Sequence, residues 1–156
     1  MKRLFLTICL AGSLMAGWAQ VDAKYGVGSV PVTNGRVMFQ DTITTVLTKD
    51  VAYQKIAAWA KTRFNKPNVI ISKFITEDAQ NQQLSLTAEE YMVFTNKFFV
   101  LDRTRINYWI ELQCHANYAT LKLTRINYWN EEERDGGTKY GAEETITDEH
   151  AFNKKG

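Results

Sequence analysis

The chain has 156 residues, 45% of them hydrophobic, with 19 basic against 17 acidic side chains. That length suits one domain with a real core and leaves little room for two. The near balance of charge argues against a basic face for phosphate binding, and the apolar content against a disordered chain.

The first segment reads as a targeting signal. Lys2 and Arg3 precede an apolar run from Leu4 to Met15, and Gly17-Trp18-Ala19 places small residues where a signal peptidase reads them. The run is shorter than the roughly 20 apolar residues that span a bilayer. A cleaved secretory signal over residues 1–19 is therefore expected, with cleavage before Gln20 and an exported product, periplasmic or extracellular, that keeps no transmembrane span. Cys9 lies mid-segment with no small residue beside it, which argues against lipid modification. Removing 19 of 156 residues leaves 137, with Lys2 and Arg3 lost and no acid lost, so the product carries 17 basic and 17 acidic groups. Only Cys114 then remains, and no internal disulfide can form.

Gln20 to Gly28 is rich in small residues and is expected to be a flexible linker, ahead of a single domain over 29–156. From Val30 to Phe39, Asn34-Gly35 separates two apolar arms, a type I′ hairpin signal because both residues tolerate positive φ. Pro31 cannot donate a ladder hydrogen bond, so the first arm belongs at a sheet edge; the second arm runs toward Val46. Thr48 opens a helix with Asp50 in its first turn, and Ala52, Ile56, Trp59, Ala60 and Phe64 form one apolar stripe. Asn65-Lys66-Pro67 ends it. Val69–Thr76 and Gln83–Phe94 read as strands joined by a polar turn over Glu77–Gln82, the second losing its alternation at Glu89-Glu90. The next connection falls at Asn96-Lys97 or near Leu101-Asp102.

The hexapeptide Thr-Arg-Ile-Asn-Tyr-Trp then occurs twice, at Thr104–Trp109 and Thr124–Trp129. Each copy alternates with the period of two of a half-buried strand. Ile106, Tyr108, Ile110, Leu112, Cys114 and Ala116 share the inner face of the first strand. In the second strand Ala119, Leu121 and Leu123 share a face, but the next apolar pair is Ile126 and Tyr128. The change of parity predicts a β-bulge at Thr124-Arg125. A tight turn at Asn117-Tyr118 would pair Cys114 with Leu121, Leu112 with Leu123, Ile110 with Ile126 and Tyr108 with Tyr128. On the outer face it sets Trp109 by Asn127, Asn107 by Trp129 and Arg105 by Glu131. Glu131–Gly141 reads as a charged loop. Ala142–Lys155 reads as a second helix, with Glu143 and Glu144 early and Lys154-Lys155 late.

The order strand, helix, four antiparallel strands, helix brings out a family likeness. The stretch Val30–Phe39, the helix with Trp59, the Arg-Ile-Asn-Tyr strand and Ile146-Thr-Asp-Glu-His-Ala-Phe-Asn-Lys-Lys155 together resemble an exported bacterial domain of unknown function with a TATA-binding-protein-like fold. The resemblance covers about residues 28–156. It implies an α+β domain, a single curved antiparallel sheet with helices packed on one face and the other face open. It implies no activity and no catalytic residues. Such members continue past Asn-Lys-Lys with a basic stretch and a terminal helix, so the sequence is expected to be a shortened relative.

The remaining side chains yield few chemical constellations. Cys114 and His115 are strand neighbours and point to opposite faces, which makes Cys114 a small core residue. His150 has no second histidine at helical ligand spacing. Glu131-Glu132-Glu133 with Asp135 lacks the alternating pattern of a calcium loop. No nucleophile elbow or phosphate-cradling glycine loop is present, and no catalytic residue, metal site or cofactor is assigned. The outer face of the hairpin is the candidate binding surface: Arg105, Asn107 and Trp109 with Arg125, Asn127 and Trp129. Two indoles beside amide and guanidinium groups suit a sugar ring or a peptide. The expectation is an exported, non-enzymatic interaction module taking a protein or glycan partner through this face, with no nucleic acid bound. An envelope hydrolase using carboxylates and His150, or a structural subunit, is the alternative. Self-association would also cover the face.

Overall fold

In a computed structural model, residues 25–98 and 100–152 are described; the expected signal segment over 1–19 lies outside them, as does most of the expected linker. One antiparallel sheet of seven strands organises the described residues. β1 (Val32–Thr33) and β2 (Arg36–Thr44) precede helix α1 (Lys49–Arg63), and β3 (Val69–Asp78), β4 (Gln83–Lys97), β5 (Val100–Cys114), β6 (Tyr118–Asn130) and β7 (Thr138–Gly141) follow. Across the sheet the order is β1-β2-β6-β5-β4-β3, and β7 also pairs with β6.

Local chemistry explains most of these elements. Asn34 and Gly35 both have positive φ, 51° and 74°, and β1 pairs with β2 around them as a two-residue hairpin. β1 is an edge strand, as Pro31 requires. The Thr48 hydroxyl accepts from Val51 N at 3.4 Å and caps α1, with Asp50 in the first turn. At the β3–β4 turn, Asp78 accepts from the backbone of Gln80 and Asn81 at 2.9 and 3.0 Å, an Asx arrangement that closes the turn. Gln82 then donates to Asp50 at 2.8 Å and ties this turn to the start of α1.

The core lies on one face of the sheet. Leu84, Leu86 and Ala88 of β4 join Ile106, Tyr108, Ile110, Leu112 and Cys114 of β5, with Ala119 and Ile126 of β6 and Val37 of β2. Ala52, Tyr53, Ala60 and Phe64 of α1 pack into the same cluster, as does Ala142 from the C-terminal segment. The loss of alternation at Glu89-Glu90 has a physical cause. Glu90 points to the core side, where Arg63 clasps it with two hydrogen bonds of 3.0 and 2.9 Å and the Tyr108 hydroxyl donates to it. A partly buried carboxylate is tolerated here because it is paired and hydrogen-bonded. Burial first, and the Glu90 bond second, push the Tyr108 phenol well above its ordinary range.

Several expected details differ. The β5–β6 turn falls one residue earlier: His115 N donates to Tyr118 O at 2.8 Å, leaving Ala116-Asn117 as the loop. One residue at the turn moves the register by two, so Cys114 pairs with Ala119, Leu112 with Leu121 and Ile110 with Leu123. A shift of two keeps every side chain on its face, but Ala116 leaves the sheet and is exposed. The bulge is present, with Arg125 and Ile126 opposite Tyr108. In α1 the buried aromatic is Tyr53, while Trp59 is half exposed and meets Phe64 edge-on at 6.1 Å. The expected loop over 131–141 contains β7. The expected helix over 142–155 reduces to a 3-10 turn at Ala142–Glu144 and a single turn, α2 (Asp148–Ala151), after which Phe152 is extended; 153–156 lie outside the described residues. The end of the expected linker is not loose, because Gly28 N donates to Asp148 Oδ2 at 2.8 Å.

Leu86 is fully buried. Leu86→Ala is expected to cost about 2–5 kcal/mol, and Trp59→Ala about 1 kcal/mol or less, in urea unfolding followed by circular dichroism.

Candidate functional site

The face opposite the core is built from the other parity of the same strands. On β5 it carries Arg105, Asn107, Trp109 and Glu111. Across β6 these stand beside Trp129, Asn127, Thr124 and Lys122 respectively. The corrected register therefore changes the expected pairs. The two asparagines face each other, Arg105 sits beside Trp129 instead of Glu131, and Trp109 is paired with Thr124. β4 adds Glu89 opposite Asn107 and Tyr91 opposite Arg105.

Arg105 is the centre of this face. Its Nε donates to Glu89 Oε1, and its Nη1 donates to Glu132 Oε2 at 2.8 Å. Glu132 also accepts from the Tyr91 hydroxyl. The rigid guanidinium fork thus holds one carboxylate from β4 and one from the loop after β6. Its carbon lies 4.8 Å from the centre of the Trp129 ring, and Lys139 Nζ lies 4.0 Å from the same ring. The Trp129 indole N–H donates to Gly136 O at 2.8 Å. Trp129 is half-buried and fixed at ring and nitrogen alike. Its neighbour Arg103 stacks 3.8 Å from the Tyr91 ring and donates to Glu133 at 2.9 Å. Tyr91 and Arg105 beside Glu132 hold its carboxyl below the usual range.

Four of the six expected residues come together. Arg105, Asn107, Asn127 and Trp129 line one open groove of about 770 Å³, with Lys139, Tyr140, Gly141, Glu143 and Glu144 on its far wall. Trp109 and Arg125 do not line it. They form their own cation–π pair at 4.1 Å, on the other side of the bulge. Asn127 donates to Arg125 O at 2.8 Å, which satisfies the bulge carbonyl. Arg125 itself is held at φ 53°, a left-handed conformation that costs a non-glycine residue about 1–2 kcal/mol. Asn107 makes no side-chain hydrogen bond among the described residues, so its carboxamide is available to the groove.

The far wall escaped sequence reasoning because it depends on β7. Three alternating residues, Thr138-Lys139-Tyr140, are too few to read as a strand, and the charged stretch before them reads as loop. Gly136 and Gly137, both at positive φ, were its one legible signal. At Gly137 a Cβ would lie 2.4 Å from Asn130 O, so the chain can turn there only with glycine. Glu143 and Glu144 are committed to backbone: Glu143 accepts from Val37 N at 2.9 Å and Glu144 from Gly141 N at 3.0 Å.

The other candidates separate from this groove. His150 lies exposed on α2. Among the described residues, no group of three or more His, Cys, Asp or Glu side chains is placed to hold a metal ion. The glutamates of the 131–133 loop are each engaged by an arginine, Glu131 by Arg134, Glu132 by Arg105 and Glu133 by Arg103. Burial pushes the Cys114 thiol up, away from nucleophile chemistry. No helix among the described residues is long and apolar enough to cross a membrane.

An open antiparallel sheet with one face packed and one face bare is the architecture of the TATA-binding-protein-like folds. The chain belongs to the family described as a domain of unknown function (DUF4468) with TBP-like fold, whose model matches residues 39–129. It is similar to the crystal structure of a DUF4468 family protein from Bacteroides ovatus, at 30% identity and a TM-score of 0.76, over 86% of this chain and 77% of that one. It also resembles a TBP-like protein from Parabacteroides distasonis, at 22% identity and a TM-score of 0.65, over 80% of this chain and 78% of that one. None of the curated proteins matches the chain.

Depressed in the folded state, the Glu132 carboxyl adds stability above its ordinary value of 4.5, and that stability is lost as pH falls through the lower folded value. Glu132→Gln is expected to be less stable at neutral pH and to flatten the acid limb below about pH 4.5. Thermal melts of both proteins across that range measure the effect.

Proposed function

We propose that this protein is an exported, non-enzymatic binding module that takes a polar, uncharged ligand, a glycan segment, in the groove between β5, β6 and β7. The observation that carries the reading is the arrangement of Trp129, Asn107 and Asn127. A half-buried indole held by Arg105 and Gly136 stands beside two carboxamides that face each other across the strands. Carboxamides donate and accept together, as vicinal hydroxyls require, and a fixed indole offers apolar area with little entropy lost. Lys139 lies over the same ring from an exposed position, and an exposed cation–π contact is worth only about 0.5–1 kcal/mol, so a sugar ring can displace it. The groove is open along its length, which suits a chain-like ligand.

Charge supports the same reading. Carboxylates alternate with cations over the face, with Glu89, Glu111 and Glu132 among Arg105, Lys122 and Lys139, so a phosphate backbone finds no continuous positive track. Export rests on the sequence of residues 1–19.

The test has two parts. Mass spectrometry of the protein made in a bacterial host is expected to show an N-terminus at Gln20. Calorimetric titration against a panel of neutral oligosaccharides is expected to find a binder whose affinity falls at least about tenfold in Trp129→Ala and in Asn107→Ala, while Trp109→Ala binds as the wild type. Binding that survives in a folded Trp129→Ala variant refutes the groove.

A further inference from the structure

Most of the arginines hold carboxylates: Arg63 that of Glu90, Arg103 that of Glu133, Arg105 those of Glu89 and Glu132, and Arg134 that of Glu131. Among the described residues, Arg36 and Arg125 hold none. These two guanidiniums are not scattered. Both line a cavity of about 480 Å³ that extends to Lys122 and Glu111, and both line a second of about 650 Å³ that extends to Asn127 and Glu143.

The register explains their meeting. Met38 pairs with Thr124, so Arg36, two residues earlier in β2 and on the same face, comes to the bulge where Arg125 stands. There the left-handed backbone of Arg125, at φ 53°, takes its side chain out of the strand alternation. Its guanidinium carbon lies 4.1 Å from the centre of the Trp109 ring. A ring face offers no oxygen acceptor, so this contact positions the guanidinium and leaves its N–H donors for another group. Lys122 makes no ion pair with Glu111, its cross-strand neighbour, among the described residues. Three cations, Arg36, Lys122 and Arg125, thus surround the two cavities with two carboxylates, Glu111 and Glu143, a surplus of one positive charge. A single negative charge matches that surplus; a dianion such as a phosphate monoester exceeds it.

We propose that Arg125 and Arg36 bind a singly charged oxyanion on a sugar, a uronic acid carboxylate or a sulfate ester. The guanidinium fork meets two oxygens of either group at once. The sugar as bearer rests on the groove reading. Asn127 and Glu143 line both the groove and the second cavity, so a glycan whose neutral segment lies by Trp129 can present its next, acidic residue to Arg125. Trp109 is a positioning residue, acting through the guanidinium that it carries.

Amide chemical-shift titrations by NMR test the oxyanion apart from the groove, with sodium glucuronate and a sulfated glucose as probes and glucose as the neutral control. At least one acid is expected to move the backbone amides of Arg36 and Arg125 and the Trp109 indole N–H saturably, with glucose leaving them in place. Whichever acid binds tighter assigns the group. Its dissociation constant is expected to rise at least about tenfold in Arg125→Gln and in Arg36→Gln; the second, on the exposed first hairpin, keeps the test should the first disturb the bulge. Trp109→Ala is expected to weaken the acid and Trp109→Phe to restore it, while neutral oligosaccharides bind both variants as the wild type. Amides of Arg36 and Arg125 unmoved by either acid overturn the proposal, as does an affinity indifferent to both arginine variants. Acid binding without any neutral binder refutes the groove and the glycan as bearer, and upholds the oxyanion site.

Discussion

The extra residue in β6 opposite Tyr108 is the constraint on which the sheet depends. Before it, Ala119, Leu121 and Leu123 face the core; after it, Ile126 and Tyr128 do. Without the bulge one half of the strand would be turned inside out, because a strand alternates with a period of two. The bulge also divides one edge of β6 between two partners. β2 pairs with residues 118–124 and β7 with residues 127–130, so two strands distant in sequence lie end to end on a third. Left-handed backbone at Arg125 is the local cost of this arrangement, and Asn127 offsets part of it by satisfying the bulge carbonyl.

The same kink separates the two tryptophans that the repeated hexapeptide makes look equivalent. Trp109 and Trp129 occupy matching places in the two copies, yet only Trp129 reaches the groove. Each is covered by a cation, Arg125 for the first and Arg105 with Lys139 for the second. Identical hexapeptides thus acquire different surroundings from position in the sheet: from Thr104 to Cys114 β5 lies between the same two strands, β4 and β6, while β6 changes neighbour midway. Arg105 links the face to the loop after β6, so order in that loop and order in the groove are coupled through one guanidinium.

Much of the architecture was legible in the residues. The I′ turn at Asn34-Gly35, the cap at Thr48, the paired strands and the parity change on β6 are each written in local chemistry, and they appear in the structure. The face of each hairpin residue except Ala116 was legible too, because alternation within a strand fixes it whatever the register. The register was not. A shift of two leaves every apolar residue of the two strands on its side of the sheet and moves only Ala116 into the turn, so hydrophobic pattern alone does not distinguish Asn117-Tyr118 from Ala116-Asn117 as the turn. The last segment failed for a different reason. Glu143 and Glu144 early and lysines late read as a helix with a favourable dipole, but these glutamates bond to Val37 and Gly141, and tertiary contacts override propensity. Four of the six expected surface residues gather in one groove because they share parity on adjacent strands, and the wall opposite them comes from a strand too short to announce itself.

The bond from Gly28 to Asp148 and the one from Val37 to Glu143 draw together parts of the chain 120 and 106 residues apart. Closing loops of that length places the domain among slowly folding, non-local topologies. A nascent chain that has reached β5 can already form the β3–β4–β5 meander with α1 upon it. The first hairpin must wait for β6 before it has a neighbour, and for Glu143 before the N–H of Val37 is satisfied. Until β6 emerges, β2 is a strand without a place in the sheet, and the chain is best kept unfolded or chaperoned while it is incomplete.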